Sequence, residues 1–319
     1  MNNTNIRIVF MGSPDFALPT IRLLAAQSLL AGVVTQPDQP AGRGRVLTPP
    51  PVKLLALELG LPVIQPARLR APEALAQLQA WQPDLIVVAA FGQILRPAVL
   101  DLPRYGCINV HASLLPRWRG AAPIQAAILH GDAETGVTIM RMDAGVDTGL
   151  VLSQRSIPIA PEDTAGTLSA KLAELGAQLL IDTLPGYLNG TLLPRPQNAV
   201  EPTYAPVLKK EDGQLDFTQP ADALARRVRA FNPWPGTFFL WEGQILKIHR
   251  AHVVGAGYAG TDHPEPAPTP GARLVHLGLP AIAAAEGLLV LDEVQPAGKK
   301  AMPGKVFLQG ARNWLRMGG

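Results

Sequence analysis

Short apolar runs alternate with longer amphipathic segments through the first half of the chain. Strand-length apolar runs occupy residues 6–11, 31–35, 84–90, 106–110 and 135–142, and helical periodicity covers 16–30, 52–59, 123–130 and 164–188. Because these strands are almost uniformly apolar, helices are expected on both faces of the sheet that they form. The pattern therefore predicts an α/β domain with a mostly parallel sheet.

The pattern changes after residue 190, because Asn189 and Gly190 end the last helix of the first half. Residues 191–208 contain four prolines without periodicity, as expected of an extended linker. A helix at 221–231 and short β-like runs at 237–241, 245–254 and 287–291 follow, broken by a Pro/Gly-rich loop at 260–271. We therefore predict an α/β domain over 1–190, a linker over 191–208 and a small β-barrel over 209–319.

The composition fits a folded protein with two cores. A chain of 319 residues exceeds what one core usually organises, and its 47% hydrophobic and 17% charged content argue against global disorder. The single cysteine, Cys107, has no cysteine or histidine at metal-ligand spacing, so we expect it to pack inside a strand and expect no zinc site. The sequence shows no leader pattern and no run of about 18 apolar residues, so a cytoplasmic chain without a membrane span is expected.

Positive charge is concentrated in the second half of the chain. Residues 209–319 hold 13 Lys/Arg against 10 Asp/Glu, whereas residues 1–208 hold 15 of each, which together give the net charge of +3. Such a surplus favours a polyanionic partner for the C-terminal part, although ordinary surface charge gives the same count.

Sequence signatures of nucleotide binding and of serine hydrolases are absent. The first strand ends in Gly12, Ser13 and Pro14, which does not fit the G-x-G-x-x-G pattern that lets a pyrophosphate approach the backbone. The segment 42–44 lies in a Pro-rich loop, and neither a Walker A sequence nor a G-x-S-x-G elbow occurs. The sequence therefore gives no support for dinucleotide binding, nucleotide hydrolysis or serine-hydrolase activity.

Two polar residues end the apolar strand near residue 110. Side chains alternate along a strand, so Asn109 and His111 point the same way at its C-terminal end, where ligands bind in open α/β sheets. An amide and an imidazole on one face can donate hydrogen bonds to a carbonyl oxygen that becomes negative during acyl transfer. Polar residues that merely finish a strand give the same pattern.

A glycine-bearing loop with two carboxylates follows the next strand. Either Asp143 or Asp147 can orient His111 and favour its charged form. Each aspartate is also typical of a turn, where its side chain accepts hydrogen bonds from nearby backbone N–H groups.

Longer motifs carry a resemblance to a known family. They are P-D-Q-P-A-G-R-G-R, N-V-H-A-S-L-L-P-R-W-R-G-A-A-P-I-Q, D-A-G-V-D-T-G, R-A-F-N-P-W-P-G and Q-P-A-G-K-K-A. From Arg7 to about Ala301 the chain resembles the folate-dependent formyltransferases, and among them the family that acts on methionyl-tRNA. The resemblance implies that the formyl group of 10-formyltetrahydrofolate, the co-substrate, is transferred to the amino group of initiator methionyl-tRNA for translation initiation, without a metal. It also implies a Rossmann-like N-terminal domain and an OB-like C-terminal barrel.

The resemblance also implies which residues act. It makes Asn109, His111 and Asp147 the catalytic set, and it places the folate-binding segment at Ser113, Leu114, Leu115 and Pro116. Expected tRNA contacts are Arg43 and, less important, Arg45 in the loop 36–51, with Lys209, Lys210, Lys299 and Lys300 in the basic C-terminal part. Ala112 and Phe91 stand where the family has glycine and often tyrosine, but neither change removes a catalytic group.

Two alternatives remain at this point. A formyltransferase acting on a nucleotide-linked amino sugar would use the same chemistry, and a related fold serves purine biosynthesis. The basic loop 37–51 and the segment 295–300 favour the tRNA enzyme, because both resemble it specifically. A noncatalytic tRNA-binding protein with an inherited fold is the other alternative, and the intact Asn109, His111 and Asp147 argue against it. We expect a bacterial protein that acts as a monomer.

Overall fold

The computed structural model describes residues 6–41, 46–198, 202–255 and 268–315. The chain divides into two compact units. The first comprises Met1–Pro123, Glu134–Pro158 and Leu168–Pro206, and the second comprises Ile124–Ala133, Ile159–Thr167 and Val207–Gly319. The domain bounds predicted above stay a prediction.

The N-terminal half contains alternating strands and helices. In chain order these are β1 (Ile8–Gly12), α1 (Leu18–Ala26), β2 (Leu30–Val34), β3 (Gln39–Ala41), β4 (Val46–Thr48), α2 (Pro51–Glu58), β5 (Val63–Ile64), α3 (Pro72–Trp81), β6 (Leu85–Ala89), α4 (Pro97–Leu100), β7 (Cys107–His111), β8 (Arg119–Gly120), α5 (Pro123–Leu129), β9 (Glu134–Arg141), β10 (Leu150–Pro158) and α6 (Ala165–Leu188). A short 3₁₀ helix, Asp15–Ala17, precedes α1.

Seven strands form one twisted sheet in the order β10-β9-β7-β6-β1-β2-β5. The pairs from β5 to β7 are parallel, whereas β9 lies antiparallel to both β7 and β10. All residues of β1 and β6 are buried, because their apolar side chains on both faces are covered. The predicted mostly parallel α/β sheet is confirmed, with an antiparallel edge that the apolar runs did not distinguish.

One core lies around β1 and β6 and draws side chains from α3 and α4. Trp81 of α3 packs in it with Leu78, Val88 and Val99, and Cys107 of β7 belongs to the same cluster. Gly32 of β2 lies against the Trp81 ring, where an added Cβ would approach Cδ2 to within 2.6 Å. The prediction that Cys107 packs inside a strand is confirmed.

The C-terminal unit is an antiparallel β structure with two short helices. β11 (Tyr204–Ala205) still belongs to the first unit. The described elements that follow it are α7 (Ala221–Ala230), β12 (Thr237–Trp241), β13 (Gln244–Val254), β14 (Arg273–His276), β15 (Leu279–Ala283), β16 (Leu288–Pro296), β17 (Met302–Pro303) and α8 (Gly304–Gly310). Five strands pair in the order β12-β13-β16-β15-β14, and β17 pairs with β16. The sequence prediction of a separate C-terminal β domain is confirmed.

An aromatic cluster fills the centre of this unit. Trp314 is 2% exposed and packs edge-to-face against Phe307, while Trp241 lies 6.2 Å from it between ring centroids. Large edge-to-face rings bury much apolar area for few residues, which helps a unit of this size to hold its own core. The short helix α8 supplies Phe307, and sequence periodicity did not predict this helix.

Part of the linker is ordered by strand pairing. β11, at Tyr204–Ala205, runs parallel to β8, at Arg119–Gly120, although the sequence predicted only an extended crossing between domains. The described helices include none that is both long enough and apolar enough to cross a membrane.

The surroundings of Cys107 make a prediction about its reactivity. Burial raises the pKa of its thiol to about 12, and the negative charge of Asp101 adds to that shift while Arg141 opposes it. Thiolate is the reactive form, so at pH 8 we expect the native chain to react with a thiol reagent such as dithionitrobenzoate far more slowly than the denatured chain. Since Cys107 is the only cysteine, the released chromophore reports this residue alone. Rapid stoichiometric labelling of the native chain would contradict the described burial.

Candidate active site

Asn109 and His111 lie on one face of β7, at the end of the strand where the parallel strands finish. Their spacing of two residues places both side chains on the same side of the sheet, as the strand pattern predicts. Asn109 is half-buried, and His111 is buried at 5% exposure. Both side chains are therefore largely shielded from solvent.

Both ring nitrogens of His111 face hydrogen-bond acceptors. Nε2 donates to the backbone carbonyl of Trp118 at 3.0 Å, and Nδ1 lies 3.6 Å from Oδ2 of Asp147. A carbonyl can only accept, so Nε2 carries the N–H of the bond to Trp118, whereas the 3.6 Å between Nδ1 and Oδ2 is longer than a hydrogen bond. The bond to Trp118 thus fixes the orientation of the ring, and Nδ1 faces the carboxylate.

The carboxylate of Asp147 contacts each of the other groups in the site. Oδ2 accepts from the backbone N–H of Gly120 at 2.8 Å, and Oδ1 lies 3.4 Å from Nδ2 of Asn109. Its side chain is 14% exposed, so these contacts form largely out of water. One carboxylate therefore links the amide, the imidazole and the segment around Gly120.

The structure distinguishes the two aspartates of the loop. Asp143 accepts from the backbone N–H of Gly145 at 3.0 Å and from the hydroxyl of Thr148 at 2.7 Å, so it shapes its own loop. Asp147 has a φ of 53°, a left-handed conformation that is uncommon outside glycine. It is Asp147 that reaches Asn109 and His111, the aspartate that the family resemblance named, whereas the local residue pattern left both aspartates possible.

Glycine is required where β8 meets β11. Gly120 has a φ of +113°, and an added Cβ would approach the carbonyl oxygen of Ala205 to 2.5 Å. The side chain's absence lets the two backbones pair, and the same residue presents its N–H to Asp147.

The segment predicted to bind folate is fixed by hydrogen bonds from neighbouring strands and from its own residues. Ser113 is fully buried and its hydroxyl donates to the carbonyl of Arg117 at 2.5 Å. Thr138 accepts from the N–H of Leu115 at 3.0 Å and donates to the carbonyl of Ser113 at 2.6 Å. Gln154 donates to the carbonyl of Leu115 at 2.8 Å. These bonds fix the backbone of 113–116, and the folate contacts of Ser113, Leu114, Leu115 and Pro116 stay a prediction.

A cavity of about 390 Å³ adjoins the loop that carries Asp147. Its lining includes Leu100, Met142 and Leu150, together with the charged Asp101, Arg141 and Asp143. Sequence reasoning missed this cavity, because its residues come from three separated segments and form no motif. A second cavity, of about 300 Å³, lies around Arg226 and Arg229 in the C-terminal unit and contains none of the predicted catalytic residues.

Known protein families match the N-terminal and the C-terminal parts of the chain separately. The formyl transferase family matches residues 6–184, and the formyl transferase C-terminal domain matches residues 207–312. A methionyl-tRNA formyltransferase from Myxococcus xanthus is 49% identical over 304 residues, covering 95% of each chain. Another from Hydrogenovibrio crunogenus is 49% identical over 307 residues, covering 95% of this chain and 96% of that one. The chain belongs to the methionyl-tRNA formyltransferase family.

A more distant solved structure shares the fold of this family member. An N-formyltransferase from Helicobacter canadensis, in complex with folinic acid and dTDP-3-aminofucose, has a TM-score of 0.65 at 17% identity, covering 90% of this chain and 99% of that one. At such low identity the likeness establishes the fold alone.

The basic residues expected to contact tRNA in this formyltransferase are only partly described. Arg43 and Arg45 lie outside the described residues, so the structure does not address them. Lys209, Lys210, Lys299 and Lys300 are all exposed. In the described ranges, no group of three or more His, Cys, Asp or Glu residues is placed to hold a metal ion.

The contacts of Asp147 with Asn109 and His111 lead to a prediction about kcat. Asn109→Ala, His111→Ala and Asp147→Asn should each lower kcat by roughly 10²-fold or more, the usual scale for loss of charge stabilisation in a transition state. Substrate binding should survive, because each change removes a small group that meets the reacting centre.

Asp216→Asn is the matched control, because Asp216 lies in the other compact unit and asparagine keeps an oxygen acceptor for Thr218. Steady-state formylation assays should show kcat near the parental value for this control. Near-parental kcat in all three site variants would refute the catalytic assignment.

Proposed function

We propose that this chain transfers the formyl group of 10-formyltetrahydrofolate to the amino group of methionine esterified to initiator tRNA. The product is N-formylmethionyl-tRNA, the starting substrate of translation. The observation that supports it most directly is the Asp147 carboxylate that joins Asn109 and His111. The near full-length identity to methionyl-tRNA formyltransferases supports the choice of acceptor.

The reaction is an acyl transfer between two nitrogens. The neutral amine of methionine attacks the formyl carbon, a C–N bond forms, and the carbonyl oxygen becomes negative. The bond from that carbon to N10 of the folate then breaks. The amine nitrogen loses one proton and N10 gains one, so the transfer is redox-neutral and the folate itself supplies the formyl group.

Asn109 and His111 divide the stabilisation of the negative oxygen. Nε2 of His111 donates to Trp118, so the half-buried amide of Asn109 is the better placed direct donor. In the proposed mechanism a protonated His111 acts on the oxygen through space, and burial of the ring at 5% exposure limits screening by solvent. Asp147 faces Nδ1 of that ring and holds the Asn109 amide in line.

The cavity beside the Asp147 loop is the proposed seat of the folate ring system. Leu100 and Met142 offer apolar contact to a flat heterocycle, and Asp101 and Asp143 offer acceptors to its N–H groups. Asp143, Ala144 and Gly149 of the lining flank Asp147 in the chain, so the cavity and the site share one loop. None of the residues 113–116 lines this cavity, so the predicted folate contacts of that segment would be made outside it. The solved Helicobacter canadensis enzyme of the same fold was obtained with folinic acid, a related formyl folate.

We further propose that the chain works as a monomer in the bacterial cytoplasm, where initiator tRNA is charged and used. The relatives from Myxococcus xanthus and Hydrogenovibrio crunogenus support a bacterial setting. Light scattering at working concentration should give the mass of one chain.

The choice of acceptor is tested by direct competition. With 10-formyltetrahydrofolate as donor, methionyl-tRNA should be formylated with a kcat/KM far above that for a nucleotide-linked amino sugar. Preference for the sugar would overturn the tRNA assignment, and turnover of neither acceptor would favour a noncatalytic binding protein.

Charge in the C-terminal unit leads to a second prediction. Lys and Arg bind phosphates with release of counterions, so removal of such contacts weakens binding and flattens its salt dependence. Replacement of Lys209, Lys210, Lys299 and Lys300 by glutamine should therefore lower kcat/KM for methionyl-tRNA and reduce its slope against salt. The KM for the folate should stay unchanged, since these four exposed residues lie in the other compact unit from Asp147.

Replacement of four exposed acidic residues, Glu211, Asp222, Glu242 and Glu286, by glutamine is the matched control for surface alteration. It should leave the salt slope at least as steep as the parent's. A quadruple lysine variant that matches the parent at every salt concentration would exclude these lysines as the tRNA contact. The same salt series applied to Arg43→Ala and Arg45→Ala tests the predicted loop contacts, with the larger loss expected for Arg43.

A further inference from the structure

One linker side chain makes four hydrogen bonds to the segments that build the site. Nε2 of Gln197 donates to the carbonyl of Asp147 at 2.7 Å and to the carbonyl of Gly149 at 2.9 Å. Its Oε1 accepts from Nη2 and Nε of Arg119 at 2.6 and 3.1 Å. An amide offers two N–H groups and two lone pairs, so the bonding capacity of Gln197 is filled and its orientation is fixed by its partners.

These bonds close a ring of contacts through the catalytic carboxylate. Arg119 directly precedes Gly120, whose N–H donates to Oδ2 of Asp147. Gln197 joins Arg119 to the carbonyl of Asp147 itself, so the side chain and the main chain of that residue are held from the same neighbouring segment. A shift of either segment would move the carboxylate relative to its partners.

Asp147 depends on outside contacts to keep its conformation. Its φ of 53° is sparsely populated for a residue with a side chain, so surrounding interactions must hold it there. The Gln197 amide bonds to carbonyls at Asp147 and two residues later, which pins the loop directly after the unfavourable torsion.

The rest of the linker reinforces the same segment. The hydroxyl of Thr203 accepts from the N–H of Trp118 at 2.8 Å, and its carbonyl accepts from the N–H of Arg119 at 2.9 Å. The carbonyl of Trp118 in turn holds His111. The linker thus touches the supports of both His111 and Asp147, and the side chain of Gln197 bonds to the Asp147 loop directly.

We propose that Gln197 is a positioning residue for the formyl transfer, which acts by setting the Asp147 carboxylate against Asn109 and His111. It makes the interdomain linker a functional part of the site. The inference rests on the proposed function, because it assumes that Asp147 supports the chemistry.

Two variants separate the contacts of Gln197. Gln197→Leu removes all four hydrogen bonds at similar length. Gln197→Glu keeps an acceptor for Arg119 but sets an oxygen against the carbonyls of Asp147 and Gly149. Both should lower kcat by roughly tenfold or more, on the scale that small misplacements of reacting groups cause, with smaller changes in the KM of either substrate. Leu193→Ala is the matched control, since that linker side chain is 72% exposed, and it should retain the parental kcat.

A double-mutant cycle with Asp147→Asn identifies the route of the effect. If Gln197 acts through the carboxylate, Gln197→Leu should lower kcat much less in the Asp147→Asn background than in the parent. An equal fold-loss in both backgrounds would show a general structural role and overturn the inference, as would a parental kcat in Gln197→Leu. Thermal melts of each variant identify loss of folding. If Gln197→Leu is unstable, the same cycle is measured with Gln197→Glu.

The two failures are distinguishable in the same data. A parental kcat for Asp147→Asn would remove the basis of the proposed mechanism, whatever Gln197 does. Loss of kcat in Asp147→Asn with no effect of either Gln197 variant would leave the mechanism intact and refute the positioning role alone.

Discussion

The site depends on one carboxylate that serves several donors at once. Asp147 receives the backbone N–H of Gly120 and faces the side chains of Asn109 and His111. A negative charge buried to this degree is costly unless it is well paired, so each donor also stabilises the loop that carries it. The same contacts that make the charge tolerable align the amide and the imidazole. Stability of the loop and alignment of the proposed catalytic groups therefore have a common cause.

The sequence predicted the parts of this arrangement that follow from local periodicity. Alternation along β7 places Asn109 and His111 on one face, and uniformly apolar runs give the parallel strands on which that face stands. Local patterns also sufficed for α6 and α7, whose predicted bounds differ from the observed ones by a residue at most. These features can be predicted because they depend only on residues that are close together in the sequence.

Other features required contacts between distant residues, which no local pattern contains. The choice between Asp143 and Asp147 depends on a loop conformation that returns toward β7. The bond from His111 to Trp118 uses a backbone carbonyl, and a carbonyl has no sequence identity to recognise. The short helix α8 gains its stability from packing of Phe307 against Trp314, so its own seven residues predict little.

The parallel pairing of β8 with β11 has a consequence for how such proteins can be recombined. Because Tyr204 and Ala205 hydrogen-bond beside Gly120, the stretch that leads out of the catalytic half is also part of its internal framework. A chimaera that joins this half to a foreign RNA-binding module would need to keep the chain through Ala205 and change it only afterwards. A junction at the end of α6 would look natural from the helix boundary, yet it would remove β11, which pairs with the strand that holds Asp147. The pairing of β11 with β8 therefore determines where a domain junction can be placed, and that position lies well after the end of α6.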